Sequence, residues 1–495
     1  MKLRKGMSTG AVIGVIVIIA IIALGGAYYY VASSPATTVT VTSGVTSTAT
    51  ATSTATQVAT TTSLLTTTAT VGPPTTTTTS SEGNTLTIMA ISGFSDSFYS
   101  AVAKDFQTAN PGVTVTVLTA PFSGILAQEQ TLLQAHDSSV DIVTGTPSMI
   151  GTLAQYTVNL NSYITANNLN KSDIIPSMQS SNGNIALSNG TIQTKALAMM
   201  SDTMFIYYRP SVWNQYQAHL APLTTWDNFI SDESYLYSNT NYYGAFIEAA
   251  TAHELWNTYL DVYSYYYQQS SMGPAQPGYG ILFTNHLRPS FNSTAGLQAT
   301  QELASMLNAQ PSLVNSYGGF NYNNFAQYYT KGYQGKNFTM AIAWLAQFPA
   351  VNATLKGDVA FTALPGGYTQ EGGSGAAVSS YSKNPTLAFK FLQFALTPTE
   401  QAKMYDVQKA LPGTFSGYRS LIKEHPSLAS FFTSALSMVQ AGGAEPHIIS
   451  STWALIPILD NALATVLPPN SATAQQIQAA LQTAANQWIP IVKHG

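Results

Sequence analysis

A run of apolar residues near the N-terminus most constrains how this chain can be organised. The segment from Ala11 to Ala32 contains no charged residue and is dense in Ile and Val, which is long enough for a helix that crosses about 30 Å of hydrocarbon. Lys2, Arg4 and Lys5 precede it, so the positive-inside bias places the N-terminus in the cytoplasm. We therefore expect a membrane-anchor helix over residues 7–32, with the folded body outside the cell.

The first residues also carry a processing signal. Lys5, Gly6 and Met7 stand directly before the apolar run, and this arrangement resembles the archaeal class III (prepilin-like) signal peptide. The resemblance implies that residues 1–6 are a basic leader and that cleavage occurs between Gly6 and Met7. Such processing keeps the hydrophobic helix in the mature chain.

A Ser/Thr-rich tract separates the apolar run from the rest of the chain. Residues 33–83 contain long stretches of Thr and Ser and almost no charge, so this tract cannot bury a core and predicts a disordered stalk. Glycosylation is expected on the stalk and on the body beyond it. The Asn-x-Ser/Thr sequons of the body lie at Asn170, Asn189, Asn292, Asn337 and Asn352.

Composition excludes several classes of function. Only 8% of residues are charged, with 18 Lys and Arg against 22 Asp and Glu, and no basic cluster follows residue 5. Nucleic-acid binding, which needs clustered cations, is therefore excluded. Cysteine is absent, which excludes disulfides and thiolate sites. So few carboxylates favour a fold that tolerates an acidic exterior, which we state as a hypothesis.

The segment after the stalk alternates strands and helices. Leu86–Ile91, Val113–Leu118 and Val140–Val143 are strand-like, and Phe98–Phe106 and Ile125–Ala135 between them have helical spacing. Strands that alternate with helices predict a doubly wound parallel sheet in an α/β protein.

The later segments are mostly helical. Ala196–Tyr208 predicts one long strand and Val359–Ala363 a shorter one, and Pro385–Ala395 and Pro398–Val407 are helices by period.

Two motifs approach catalytic patterns and fall short of them. The stretch from His253 to Asn257 begins like a zincin helix, but Asn257 stands where the second His is needed, so we predict no metal site. The stretch from Gly372 to Ala376 approaches a nucleophile elbow without its final Gly, and a close approach of backbone segments is the better interpretation. A catalytic pair of carboxylates, as in glycoside hydrolases, could be formed by residues that are distant in sequence, and this possibility stays open. We assign no catalytic residue and no cofactor.

Aromatic and hydroxyl side chains follow the predicted strands at their carboxyl ends, where parallel sheets bind ligands. These candidates, which suit an uncharged polyol, are Phe94, Ser95, Phe122, Thr144 and Thr146. Ordinary loop polarity is an equally good explanation for any one of them. Trp226 is expected to pack in the core beside a helix N-cap. For Trp344, at the end of an apolar strand, ligand stacking and core packing compete evenly.

Several stretches together resemble the family 1 extracellular solute-binding proteins of ABC importers, which take up mono- and oligosaccharides. The strongest is Asp358–Tyr405, with its Leu-Pro, glycine loop, Ser-Lys-Asn-Pro and Ala-x-x-Phe-Leu-x-Phe patterns. Residues 106–118, 140–164 and 337–344 support it.

The resemblance implies a two-lobed periplasmic-binding-protein-like α/β fold of type II, in which sugar binds between lobes that close around it. Lobe 1 would comprise residues 84–199 and 372–402, and lobe 2 residues 200–371 and 403–495. The residues that the resemblance places at the cleft are Asp202, Glu248, His253, Trp344, Gly372 and Gly373.

The sequence therefore predicts a membrane-anchored extracellular receptor, not an enzyme, that captures a neutral sugar and delivers it to an ABC transporter permease. A peptide ligand is left open. Two alternatives stay open as well: an anchored glycoside hydrolase acting on extracellular glycans, and a surface-layer or adhesion glycoprotein.

Overall fold

The computed structural model describes residues 83–186, 191–250, 254–270, 272, 281–284, 288–309, 320, 322–367, 369–441, 452–468 and 470–494. These residues belong to one compact unit. The leader, anchor and stalk predicted over residues 1–82, with Gly6 and Met7, lie outside them, as do Asn189 and His253. None of the helices in these ranges has the length and apolarity that a membrane crossing requires.

The strands in chain order are β1 (Thr85–Ile91), β2 (Thr114–Ala120), β3 (Ile142–Gly145), β4 (Asn184–Ala186), β5 (Ile192–Thr194), β6 (Leu197–Ser201), β7 (Met204–Tyr208), β8 (Tyr242–Ile247), β9 (Asn337–Trp344), β10 (Ala360–Thr362), β11 (Ser374–Val378) and β12 (Leu411–Pro412).

The α-helices in chain order are α1 (Asp96–Ala109), α2 (Phe122–Gln134), α3 (Pro147–Leu153), α4 (Asn161–Ala166), α5 (Pro176–Asn182), α6 (Pro210–Tyr216), α7 (Trp226–Asn239), α8 (Glu254–Gln269), α9 (Thr294–Asn308), α10 (Tyr322–Lys331), α11 (Phe348–Leu355), α12 (Pro385–Ala395), α13 (Pro398–Gln408), α14 (Phe415–Glu424), α15 (Ala429–Ala441), α16 (Thr452–Ala464) and α17 (Ala474–His494).

The first lobe is built on a sheet with the order β12-β6-β11-β3-β1-β2. β1 pairs in parallel with β2 and β3, and α1 and α2 connect these strands. The predicted alternation of strands and helices is therefore confirmed. β11 inserts antiparallel between β3 and β6, so residues far apart in sequence share the centre of this sheet.

The second lobe is built on a sheet with the order β10-β7-β9-β8. The single strand predicted over Ala196–Tyr208 is wrong in one respect, because it is two strands that belong to different sheets. β6 lies in the first sheet and β7 in the second, and the chain crosses between them at Asp202 and Thr203. A carboxylate oxygen of Asp202 accepts hydrogen bonds from the backbone N–H of Thr203 (2.9 Å) and of Ala346 (3.1 Å), and these bonds hold the break between the strands.

The helices predicted from period and proline are confirmed. α12 and α13 each begin with a proline, whose φ suits the first helical position and whose missing N–H would have no partner there. Trp226 is fully buried, as predicted, beside an N-cap in which the hydroxyl of Thr225 accepts from the backbone N–H of Asn228 (3.2 Å).

The C-terminal part of the chain contacts both lobes. Residue 403, a predicted lobe boundary, lies inside the continuous helix α13, which packs against α1. β12 then pairs with β6 in the first sheet, and the Tyr418 and Ser201 hydroxyls are hydrogen bonded (2.9 Å). The chain therefore stays beside the first sheet through α14. Helix α16 contacts both α3 and α8.

Candidate ligand-binding cleft

A cavity of about 220 Å³ lies between the two sheets. Its walls come from the loops after β1 and β3, from α8 and α10, from the end of β9, and from the two segments that cross between the sheets. The residues around it are Ile91, Ser92, Gly93, Phe94, Phe122, Thr146, Pro147, Ser148, Asp202, Glu254, Trp256, Asn257, Tyr322, Asn323, Trp344, Gln370, Glu371, Gly372 and Gly373.

The structure brings most of the sequence-predicted residues to this cavity. Those that line it are Phe94, Phe122, Thr146, Asp202, Trp344, Gly372 and Gly373. Ser95 and Thr144 are buried behind the wall, where their hydroxyls bond the backbone N–H of Ile91 (3.0 Å) and the carbonyl of Met89 (2.9 Å). Their hydroxyls hold the β1 and β3 loops in place. Glu248 is fully buried just after β8 and does not line the cavity.

Aromatic rings form much of the wall. Trp344 sits at the end of β9, and Phe94, Phe122, Trp256 and Tyr322 contribute further rings. Trp344 packs closely against Gly372, where a Cβ would lie 2.4 Å from the indole ring. Aromatic faces of this kind can stack on the apolar C–H faces of a sugar ring.

Asp202 lies at the first crossing between the lobes and is almost fully buried. Burial raises the pKa of its carboxyl to about 7, although backbone N–H groups of Ala346, Thr203 and Leu345 favour the charged form. A carboxyl in this position can accept hydrogen bonds from ligand hydroxyls.

Gln370 and Glu371 lie at the second crossing. Glu371 pairs with Thr203, so the two crossing segments run side by side. Burial raises the pKa of Glu371 to about 7, against hydrogen bonds from the Ser181 and Ser177 hydroxyls. Asp261 accepts a hydrogen bond from the backbone N–H of Gln370 (2.7 Å), which fixes this segment to α8.

A second layer of carboxyl groups lies behind the first. Burial raises the pKa of Glu248 well above its ordinary value, and the nearby carboxyls of Glu254, Asp202 and Asp261 raise it further. Burial also raises the pKa of Glu254, which lines the cavity, and of Asp261. Among the described residues that line the cavity, none is Lys, Arg or His.

The glycine loop at the second crossing is held by tight contacts, as predicted. Gly373 has φ +83°, and a Cβ there would lie 2.1 Å from the carbonyl oxygen of Met200. At Gly375 a Cβ would lie 2.1 Å from the carbonyl oxygen of Asn182. Only glycine lets β11 approach β6 and α5 this closely.

Several lining residues were not predicted. Three of them, Glu254, Trp256 and Asn257, belong to the stretch that begins like a zincin helix. Gln370 and Glu371 directly precede the predicted Gly372. Both groups stand next to residues that were predicted at the cleft, His253 and Gly372, and this proximity in sequence is the signal that could have identified them. The remaining unpredicted polar residues are Ser92, Ser148, Tyr322 and Asn323.

The predicted glycosylation sites differ in accessibility. Asn170 and Asn337 are exposed. Asn352 and Asn292 are half-buried, and the amide of Asn292 donates to the Gln482 side chain (2.9 Å).

Comparison with known proteins gives one family match. The model of the bacterial extracellular solute-binding protein family matches residues 101–427. No functionally curated protein sequence is significantly similar to this chain.

Solved structures share the fold at low sequence identity. The GacH receptor of Streptomyces glaucescens, solved unliganded and with acarbose, is 17% identical with a TM-score of 0.64; the match covers 83% of this chain and 98% of that one. Maltose-bound T. maritima MalE3 is 15% identical with a TM-score of 0.65, covering 82% and 99%. A solute-binding protein of Agrobacterium vitis with bound D-mannitol is 17% identical with a TM-score of 0.60, covering 83% and 98%. These likenesses support the two-lobed fold.

Proposed function

Because this chain belongs to the bacterial extracellular solute-binding protein family, we propose that it captures a sugar between its two lobes and delivers it to the permease of an ABC transporter. The sugar is a monosaccharide or a short oligosaccharide. The observation that carries this proposal is the joint placement of the Trp344 ring and the Asp202 carboxyl in one cavity between the lobes.

The aromatic rings and the carboxyl groups of the cavity bind different parts of the sugar. Trp344 and the other rings stack on the C–H faces of the sugar, and Asp202 accepts hydrogen bonds from its hydroxyls. Asp202 and Glu371 stand on the two crossing segments, so a sugar bound between them contacts the chain where the lobes meet. Ligand that contacts both lobes favours the closed arrangement, which the permease then recognises.

The alternatives are less well supported. Family membership favours capture over hydrolysis, and a surface-layer or adhesion role does not account for a cavity that combines aromatic rings with buried carboxyls. Ligands bound in structures of similar fold, the sugar maltose and the sugar alcohol D-mannitol among them, also favour a carbohydrate ligand.

The sugar-binding proposal predicts a stabilising ligand and a clear mutational loss. We expect one class among monosaccharides, disaccharides and short peptides to raise the melting temperature of the full-length protein, because a ligand at 100 times its Kd adds about 2.7 kcal/mol. Trp344→Ala is expected to weaken that ligand about tenfold or more, since lost stacking is worth roughly 1.5 kcal/mol. Calorimetric titration measures the loss.

The matched control is Trp213→Ala, which removes a half-buried indole that does not line the cavity. It should leave the affinity unchanged. A shift only with peptides, or no shift with any compound, would refute the sugar-receptor proposal.

We also propose that the body is anchored outside the cell by residues 7–32, through the stalk of residues 33–83, after removal of an archaeal-type leader. The basic residues before an uncharged apolar run support this arrangement. N-terminal sequencing of the protein from its own membranes should begin at Met7. A mature chain that begins beyond Ala32 would contradict the anchor.

A further inference from the structure

Among the residues that the structure describes, no cation balances the carboxyl groups of the cleft. Asp202, Glu254 and Glu371 line the cavity, and the described part of its wall contains no basic side chain. Within the described residues, no Lys, Arg or His contributes to the electrostatic surroundings of these three groups, nor to those of Glu248 and Asp261 behind them. Buried carboxylates are normally paired with a cation or fully hydrogen bonded, because an unpaired buried charge is costly.

Buried acceptor atoms without partners lie in the same wall. Glu371 and Gln370 are each at least nine-tenths buried, and in each the side-chain Oε1 atom has no hydrogen-bond partner. Both residues line the cavity. Unpaired groups that are all acceptors call for a ligand that presents hydrogen-bond donors.

A single metal ion does not fit this arrangement. In the described part of the chain, the one group of three side chains whose donor atoms converge within 4.8 Å is Asp406, Glu424 and His425, at the ends of α13 and α14. The cleft carboxyls are spread around a cavity of about 220 Å³, which has room for an organic ligand.

The aromatic wall suits an organic cation. Trp344, Trp256 and Tyr322 line the same cavity as the carboxyls. Indole and phenol faces attract cations that sit over the ring, and they also stack on the C–H faces of sugars.

We propose that the sugar bound in this cleft carries a protonated amine, as in an amino sugar, and that the amine is bound by the carboxylates of Glu371 and Asp202. This inference rests on the proposed sugar-binding function and departs at one position of the ligand from the neutral sugar expected from the sequence. The amine supplies a cation and N–H donors for these carboxylates, and the remaining hydroxyls and C–H faces bind as described above.

The test is a matched series of disaccharides with one backbone and three substituents. The full-length protein is titrated at neutral pH with the β-1,4-linked disaccharide of glucosamine, its N-acetylated form and cellobiose. The free amine is expected to bind at least about tenfold more tightly than either uncharged sugar, because charge-assisted hydrogen bonds in a buried site are about twice as strong as neutral ones. N-acetylation removes the charge and keeps the ring.

Two conservative variants test whether the preference for the amine depends on Glu371 and Asp202. Glu371→Gln and Asp202→Asn keep shape and remove charge, so each should reduce the ratio of amine to neutral affinity several-fold. Glu302→Gln removes a half-buried carboxyl outside the cavity and should leave the ratio unchanged. The ratio is compared within each variant, so a general loss of stability does not mimic the result.

The possible failures separate the two proposals. Equal or tighter binding of cellobiose would overturn the amine inference and leave the sugar receptor standing. An amine preference that survives both Glu371→Gln and Asp202→Asn would overturn the assignment to these carboxylates. Failure of all three disaccharides and of every sugar in the wider panel would remove the sugar receptor itself.

Discussion

Replacing Gly373 with alanine is expected to lower the free energy of unfolding by more than about 3 kcal/mol. Gly373 has φ +83°, a left-handed conformation that costs a residue with a Cβ about 1–2 kcal/mol. The new Cβ would also lie 2.1 Å from the carbonyl oxygen of Met200 and 3.2 Å from the amide nitrogen of Asp202. Both neighbours are backbone atoms at the crossing between the lobes, so neither can move without disturbing β6.

Denaturant unfolding of the variant measures this loss, and Gly335→Ala is its matched control. Gly335 has nearly the same φ, +82°, but no atom lies within 4 Å of the position its Cβ would take. The control should cost only the conformational part, about 1–2 kcal/mol. Equal losses in the two variants would mean that the contact with Met200 does not restrict this position.

The free energy of unfolding is expected to depend strongly on pH, because of the buried carboxyls of Asp202 and Glu371. Asp202 and Glu371 have pKa values of about 7 in the folded protein, because both are buried, whereas in an unfolded chain they titrate near 4. Between these values the folded state binds protons that the unfolded state does not. Stability is therefore full below about pH 4 and is lost as the pH rises towards 7.

The ligand-free protein should accordingly lose on the order of 3 kcal/mol per group between about pH 4.5 and 7.5, measured as the free energy of unfolding. The double variant Asp202→Asn, Glu371→Gln should make this slope shallower. Burial also raises the pKa values of Glu248 and Asp261 well above their ordinary range, so these two carboxyls contribute to the same fall in stability and a part of the slope remains in the double variant. A wild-type stability that stays constant or rises over this interval would contradict the assignment. The expected direction agrees with the acid tolerance inferred from composition.

Local pattern predicted much of the fold. The parallel strands β1 to β3 and the helices between them follow from runs of apolar residues with the correct period. The crossing at Asp202 does not, because Ala196–Tyr208 is apolar on both sides of it and reads as one strand. At the break, the Asp202 carboxylate accepts a hydrogen bond from the backbone N–H of Ala346, which lies 144 residues away. No local period contains that information.

Lining residues in the loops that follow strands could be predicted from the sequence, whereas lining residues on helices could not. Phe94, Phe122 and Thr146 lie at strand ends and could be named from the sequence. Trp256 and Asn257 face the cavity from α8, and nothing in the helical period distinguishes a lining side chain from a core one. Glu371 is adjacent in sequence to the predicted Gly372. Its burial could not be predicted, because it depends on the pairing of the two segments that cross between the lobes.

The position of β11 has a consequence for the order in which the protein can assemble during synthesis. β11 lies between β3 and β6, yet it leaves the ribosome after β7, β8, β9 and β10 of the other sheet. Until then β3 and β6 each expose an edge that can pair with the wrong partner. The growing chain can therefore complete the second sheet, β10-β7-β9-β8, before it can complete the first. Nascent chains that stop before Ser374 should therefore aggregate, whereas chains that extend past Pro412 contain every strand of the first sheet.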